Sequence, residues 1–178
     1  MKLLKKIMLS ATLLCCALVL SGCADKVFLP EAHFTVVSVT PDKLRATVSE
    51  TTTTEGETEK SSTVPSTVIS LNADFGIPAN LVSFSVTYTT RLGEPIPSVA
   101  IPETPYNLKL TPSTANDITL NPYTNRLYTM LELTRADISP VNARIQLTIE
   151  DANGNTTQVE AHCLCYATWD ETEGGSFE

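Results

Sequence analysis

Histidine is almost missing from this 178-residue chain, which holds only His33 and His162. Acid–base and nucleophilic mechanisms lean heavily on imidazole, so such catalysis has few possible participants here. Glycine is scarce too, with seven residues, and none of them builds a phosphate-cradling loop. There is no Gly-x-Ser-x-Gly, no His-Glu-x-x-His and no credible catalytic triad. The chain is therefore read as non-enzymatic, with only carboxylate-based hydrolysis left open. Positive charge is also short, with 12 Lys and Arg against 20 Asp and Glu. That balance repels phosphate backbones and argues against a nucleic-acid partner. The longest apolar run, from Ile7 to Leu20, falls short of the roughly 20 residues a membrane-spanning helix needs.

That run has a different meaning. It follows the basic stretch Met1-Lys2-Leu3-Leu4-Lys5-Lys6 and closes on Leu20-Ser21-Gly22-Cys23. A basic start, a short apolar core and small residues at the end make a secretory signal. Leu20-Ser21-Gly22-Cys23 resembles the lipobox of bacterial lipoproteins. The resemblance implies cleavage between Gly22 and Cys23 and diacylglycerol on the Cys23 sulfur. Two or more acyl chains anchor a protein stably to a bilayer. The resemblance also implies an address. An Asp after the lipidated Cys favours the inner membrane in Gram-negative lipoproteins, and Ala24 stands there instead. The outer membrane is then expected if the source is Gram-negative.

Loss of residues 1–22 leaves 156 of 178 residues, with 9 basic and 20 acidic side chains and a formal net charge of −11. A domain of that size buries enough surface to fold without a metal or a disulfide. Membrane contact should come from lipid rather than from a basic patch. Residues 23–30 read as a short lipidated tether of at most about 30 Å. Of the five cysteines, Cys15 and Cys16 leave with the signal and Cys23 is modified. Cys163 and Cys165 remain. Two residues apart on a strand, their Cα atoms lie about 6.6 Å apart with Cβ atoms on one side, which disfavours a disulfide. Two free thiols, buried as small hydrophobes, are expected.

Residues 31–169 read as short β segments cut by turns. Phe34–Thr40 is rich in β-branched residues and stops at Pro41, and Leu44–Val48 alternates weakly. Residues 51–62 are polar and of low complexity, and read as a flexible polar loop or a long hairpin tip. Val68–Leu71 resumes the β pattern. Leu81–Thr89 alternates best, placing Val82, Phe84 and Val86 on regular faces. Between Arg91 and Pro112, Pro95, Pro97, Pro102, Pro105 and Pro112 exclude a regular helix and demote any strand to an edge. Asn107–Leu110 and Asp117–Leu120 are short strand candidates. Leu127–Thr134 fits a helix through Leu127, Met130, Leu131 and Thr134, or a strand through Leu127, Thr129, Leu131 and Leu133. The surrounding strands favour strand. Residues 135–140 then make a corner. Arg144–Glu150 and Thr156–Trp169 flank Asn153-Gly154, the strongest short-range hairpin signal, since both residues tolerate positive φ. Val159, Ala161, Cys163, Cys165, Ala167 and Trp169 share the face assigned to the core. The acidic segment 170–178 reads as a disordered tail.

About eight strands without a convincing long helix imply an all-β, antiparallel β-sandwich. A strand at 127–134, a proline corner and a closing hairpin at 142–168 resemble the last three strands of immunoglobulin-like or fibronectin type III-like domains. The inter-sheet disulfide and core Trp of antibody domains are absent.

The chemistry-bearing candidates are few. His162, Cys163 and Cys165 are the one cluster of soft ligands, suited to Cu(I) or Zn(II) or to redox chemistry. Alternation points His162 away from both cysteines. His33 approaches only if the first and last strands pair. Core thiols beside a surface His are the expected arrangement, with no metal and no cofactor. Asp151-Ala152-Asn153-Gly154-Asn155 has the start of a calcium loop, but its Gly comes too early. Glu55, Glu57 and Glu59 read as a solvated face. Tyr88, Tyr106, Tyr123, Tyr128, Tyr166 and Trp169 include enough aromatics for a sugar-stacking platform. The resulting expectation is a lipid-anchored cell-envelope protein acting as a non-catalytic binding or structural module for an envelope protein. A Cys-x-Cys metal or redox protein and a glycan-binding module are the alternatives.

Overall fold

The computed structural model describes residues 30–52, 58–74, 76–134 and 138–168. Ten strands occur along the described chain. They are β1 (His33–Thr40), β2 (Lys43–Arg45), β3 (Thr47–Thr52), β4 (Thr58–Thr63), β5 (Thr67–Asp74), β6 (Ala79–Thr89), β7 (Ile101–Leu110), β8 (Ala115–Leu120), β9 (Val141–Asp151) and β10 (Thr156–Tyr166). One α-helix, α1 (Asn125–Thr134), joins β8 to β9. The described residues from Ala32 to Thr168 form one compact unit. Among the described residues no helix is long and apolar enough to cross a membrane. The predicted signal (1–22), Cys23, the tether to residue 29, Trp169 and the acidic tail 170–178 lie outside the described residues.

A five-stranded sheet runs β2-β10-β9-β6-β7 and a three-stranded sheet runs β1-β5-β8. Their inward side chains merge in one apolar core. Alternation explains the burial. In β9, Val141, Ala143, Ile145, Leu147 and Ile149 are buried while Arg144 and Glu150 are exposed. In β10, Val159, Ala161, Cys163 and Cys165 face inward, as expected, and Ala167 just beyond is buried too. The all-β expectation holds, with one departure from a purely antiparallel arrangement. Strand β2 pairs parallel with the end of β10, Leu44 lying opposite Cys165.

The regular faces predicted for Val82, Phe84 and Val86 are broken. The register slips between Leu81 and Ser83. Ala79 and Leu81 are thus buried before the slip, and Val86 and Tyr88 after it. One inserted residue reverses the parity of everything downstream. The proline-rich stretch behaves as predicted. It holds a single 3-10 turn, Pro97–Val99, and the edge strand β7, which carries Pro102 and Pro105.

One expectation is corrected and another resolved. Residues 127–134 are helix, not strand. The Thr124 hydroxyl accepts the Leu127 N–H at 3.2 Å, capping α1, and the Tyr128 N–H reaches the Thr124 carbonyl at 2.9 Å. Leu127 and Leu131, one turn apart, are fully buried, whereas Leu133 is 79% exposed. A strand would have put all three on one face, so burial at spacing four decides for the helix. The second concerns residues 51–62, read as a flexible polar loop or a long hairpin tip: the described residues show the hairpin, and residues 53–57 lie outside them. Strands β3 and β4 pair antiparallel from Thr47 opposite Thr63 to Thr52 opposite Thr58, as the stem of a hairpin. They form a sheet of their own.

Candidate functional site

Cys163 and Cys165 are free thiols on the inward face of β10. Hydrogen bonding to Cys163, then burial, pushes the Cys165 thiol well above its ordinary value. A thiol so held is a poor nucleophile and a poor metal ligand, since both roles need the thiolate. His162 is exposed on the opposite face of the strand. Strand β1, carrying His33, belongs to the other sheet and pairs with β5, not with β10. The predicted soft-ligand cluster is therefore not brought together. Among the described residues no group of three His, Cys, Asp or Glu side chains is placed to hold a metal ion.

Asp151 is the most elaborately bound carboxylate. It is buried at the end of β9 and accepts the backbone N–H groups of Asn153 (2.8 Å), Asn155 (2.9 Å) and Ala32 (3.2 Å), and the Asn155 amide (3.1 Å). Burial alone would raise its pKa, but these bonds from Asn155, Ala32 and Asn153 outweigh it and hold the carboxyl below its usual range. The oxygens face amide donors from three directions, which suits a hairpin turn rather than a calcium loop. The hairpin is present, with Asp151 and Asn155 bonded across it and the Gly154 N–H reaching the Asp151 carbonyl at 3.0 Å. Only Gly154 takes positive φ, +78°, and Asn153 does not. The turn is thus a longer one than the two-residue Asn-Gly type.

The tyrosines do not form a platform. Tyr88, Tyr123 and Tyr166 are buried, while Tyr106 and Tyr128 are half-buried. Tyr88 donates to the Pro122 carbonyl at 2.5 Å and Tyr123 to the Tyr166 carbonyl at 2.7 Å, fixing the chain as it enters α1. Burial, then Cys165, raises the pKa of both phenols. Arg45 lies 5.6 Å over the Tyr166 ring. Tyr106 meets Phe84 edge-on at 5.8 Å. The remaining aromatic, Trp169, lies outside the described residues, as do Glu55 and Glu57, and Glu59 stands opposite Thr51 in the β3–β4 ladder.

The feature that sequence reasoning missed is an apolar groove of about 380 Å³ between α1 and the 3-10 turn. Ser98 and Val99 line one side, and Arg126, Thr129, Met130 and Leu133 the other. These four helix positions follow the 0, 3, 4, 7 spacing of one face. One local signal was Leu133, an apolar residue off the buried Leu127–Leu131 stripe, which the strand reading placed on the same face as both. On the outer face of the five-stranded sheet, Arg144 and Glu160 form a two-pronged ion pair, with Arg144 Nε donating at 2.9 Å and its terminal nitrogen bonding the second oxygen. That bonding lowers the Glu160 pKa and raises that of Arg144. Both side chains are well exposed, and the pair adds little stability.

No family model matches the chain, and no curated protein matches it. Solved structures give distant similarities. A Northeast Structural Genomics Consortium target aligns at 10% identity with a TM-score of 0.37, over 83% of this chain and 92% of that one. A protein from Archaeoglobus fulgidus aligns at 16% identity with a TM-score of 0.34, over 73% of this chain and 97% of that one.

Proposed function

We propose that this protein is a lipid-anchored component of a bacterial cell envelope whose immunoglobulin-like sandwich serves as a non-catalytic binding or structural module. The carrying observation is the sequence Leu20-Ser21-Gly22-Cys23 after a basic, then apolar, start. The strand order supports the immunoglobulin-like reading. The first strand is split, β1 joining β5 and β8 in one sheet while β2 runs parallel to β10 at the edge of the other. The non-catalytic reading is supported by the dispersal of reactive groups. The thiols point inward, the two histidines lie on different sheets, and the buried Asp151 is occupied by amide donors.

The test is fractionation with intact-mass measurement. The natural chain should sediment with the membrane and carry acyl mass on its first mature residue, and Cys23→Ser should appear unacylated in the soluble fraction. An unmodified natural chain, free in the medium, refutes the anchor.

A further inference from the structure

Resting on the reading of the chain as a binding module, we propose that the groove beside α1 takes an acidic segment of a partner protein. An apolar side chain of that segment lies on Met130 and Leu133, and a carboxylate lies on Arg126. Val99 is buried, Met130 is half-buried and Leu133 is 79% exposed, so both walls offer apolar surface. The volume of about 380 Å³ lies within the range of ligand-binding clefts. Covering that surface with another apolar side chain releases the water on both.

Arg126 indicates what else the occupant carries. It is exposed, second in α1, and the one charged side chain lining the groove. The first turn of a helix bears partial positive charge, so a cation there is repelled by its own helix. No acidic residue stands in that turn to offset it. Glu132, the one carboxylate of α1, accepts the N–H of Thr168 at 3.0 Å. Among the described residues no carboxylate pairs with Arg126. A charge held where the helix disfavours it, beside apolar surface, is complementary to an anion from outside the chain. Arg126 lies seven residues, about 10 Å along the axis, from Leu133. Three steps of an extended segment cover about the same distance, which sets the spacing of its two contacts.

The chain enters the described body at Ala32, whose N–H bonds to Asp151, and Asp151 lies opposite Ala79 at the start of β6. Tyr88, near the other end of β6, donates to the Pro122 carbonyl just before α1. The strand between them spans about 30 Å. The groove therefore stands at the end of the body away from the chain's entry, where an anchored module presents surface to a partner.

Met1, Met8 and Met130 are the only methionines, so labelled methionine methyls give one signal from the groove. The full chain carrying Cys23→Ser is labelled in this way and titrated with acetyl-Glu-Ala-Ala-Leu-amide. The Met130 signal, identified by its loss in Met130→Leu, should shift saturably. The same peptide with Lys for Glu should bind about fivefold more weakly, and Arg126→Glu should reverse the order of the two peptides. Leu133→Ser should weaken the acidic peptide about tenfold. Arg126→Glu removes a cation from the positive end of α1, so that variant should unfold at no lower urea concentration than the natural residue. An unmoved Met130 signal, or equal binding of the two peptides, overturns the proposal. A shift that grows with protein concentration alone assigns the groove to a second copy, and one produced by neutral phospholipid vesicles assigns it to lipid. Either overturns the proposal too. None of these outcomes alters acyl mass or membrane sedimentation, so the anchor and the groove can fail separately.

Discussion

The β9–β10 and β3–β4 hairpins are built from the same backbone pattern and rest on opposite kinds of support. In β9–β10, ten residue pairs run from Thr156 opposite Glu150 to Cys165 opposite Val141. Every second side chain of β9 enters the core. At its tip Asp151 gathers four hydrogen bonds. In β3–β4, six pairs run from Thr47–Thr63 to Thr52–Thr58, and Val48 is the one apolar residue in either strand. Among the described residues no third strand joins that ladder. Backbone hydrogen bonds exchange solvent partners for internal ones at small net gain, so a two-stranded ribbon is marginal by itself. Apolar alternation adds burial, and burial makes one register far better than the next. The first hairpin is specified by its side chains and the second by little beyond its own ladder.

Substitutions should separate the two sharply. Ile145→Ala, at a fully buried position of β9, should cost about 3 kcal/mol in denaturant unfolding. A cost under about 1 kcal/mol would mean that β9 does not organise the core.

Asp151→Ala comes next, at about 2 kcal/mol near neutral pH, because buried amides lose a charged acceptor. Its pH dependence carries a sign. A carboxyl held below its unfolded pKa stabilises the fold above that pKa, and the contribution disappears as pH falls through the lower folded value. The natural chain should therefore lose stability below about pH 4, and Asp151→Ala should lose less over the same range. Parallel stability–pH curves for the two proteins would remove Asp151 from this role.

Thr124→Ala, which uncaps α1, should cost about 1 kcal/mol and reduce helical signal without unfolding the sheets. The smallest effect belongs to the other hairpin. Glu50→Lys places a second Lys opposite Lys60 and should change global stability by less than about 0.5 kcal/mol. Amide exchange should sharpen the contrast, with β3–β4 amides exchanging far faster than those of β9. Equal protection in both hairpins would show that β3–β4 is supported by something beyond its own pairing.

Legibility in the sequence follows the same division. The β10 core face was readable because Val159, Ala161, Cys163 and Cys165 repeat at period two, with Glu160 and His162 between the first three. The edge character of β7 was readable because Pro102 and Pro105 lack a donor. Segment 127–134 was misread because Leu127 and Leu131 fit both periods and the neighbouring strands tipped the balance. A single hydroxyl cap at Thr124 and the burial of Leu127 with Leu131 decided otherwise. The Val82 slip was invisible, since a bulge leaves alternation on each side intact. Leu133 gave the one hint of the groove, because Ser98, Val99 and Arg126 meet only after the Pro97–Val99 turn folds against α1.

Composition and local pattern by themselves determined the class of this protein: a strongly acidic, strand-built chain with few reactive groups and a lipobox-like start. Those properties depend on residue identity and on neighbours a few positions away. Only the tertiary structure decided that one apolar stretch becomes a helix, that a polar stretch pairs with itself, and that Asp151 collects the amide of Ala32 from 119 residues away. Each of these turns on which distant surface is available to bury a side chain or satisfy a buried polar atom, and that information exists only once the sheets have closed over their core.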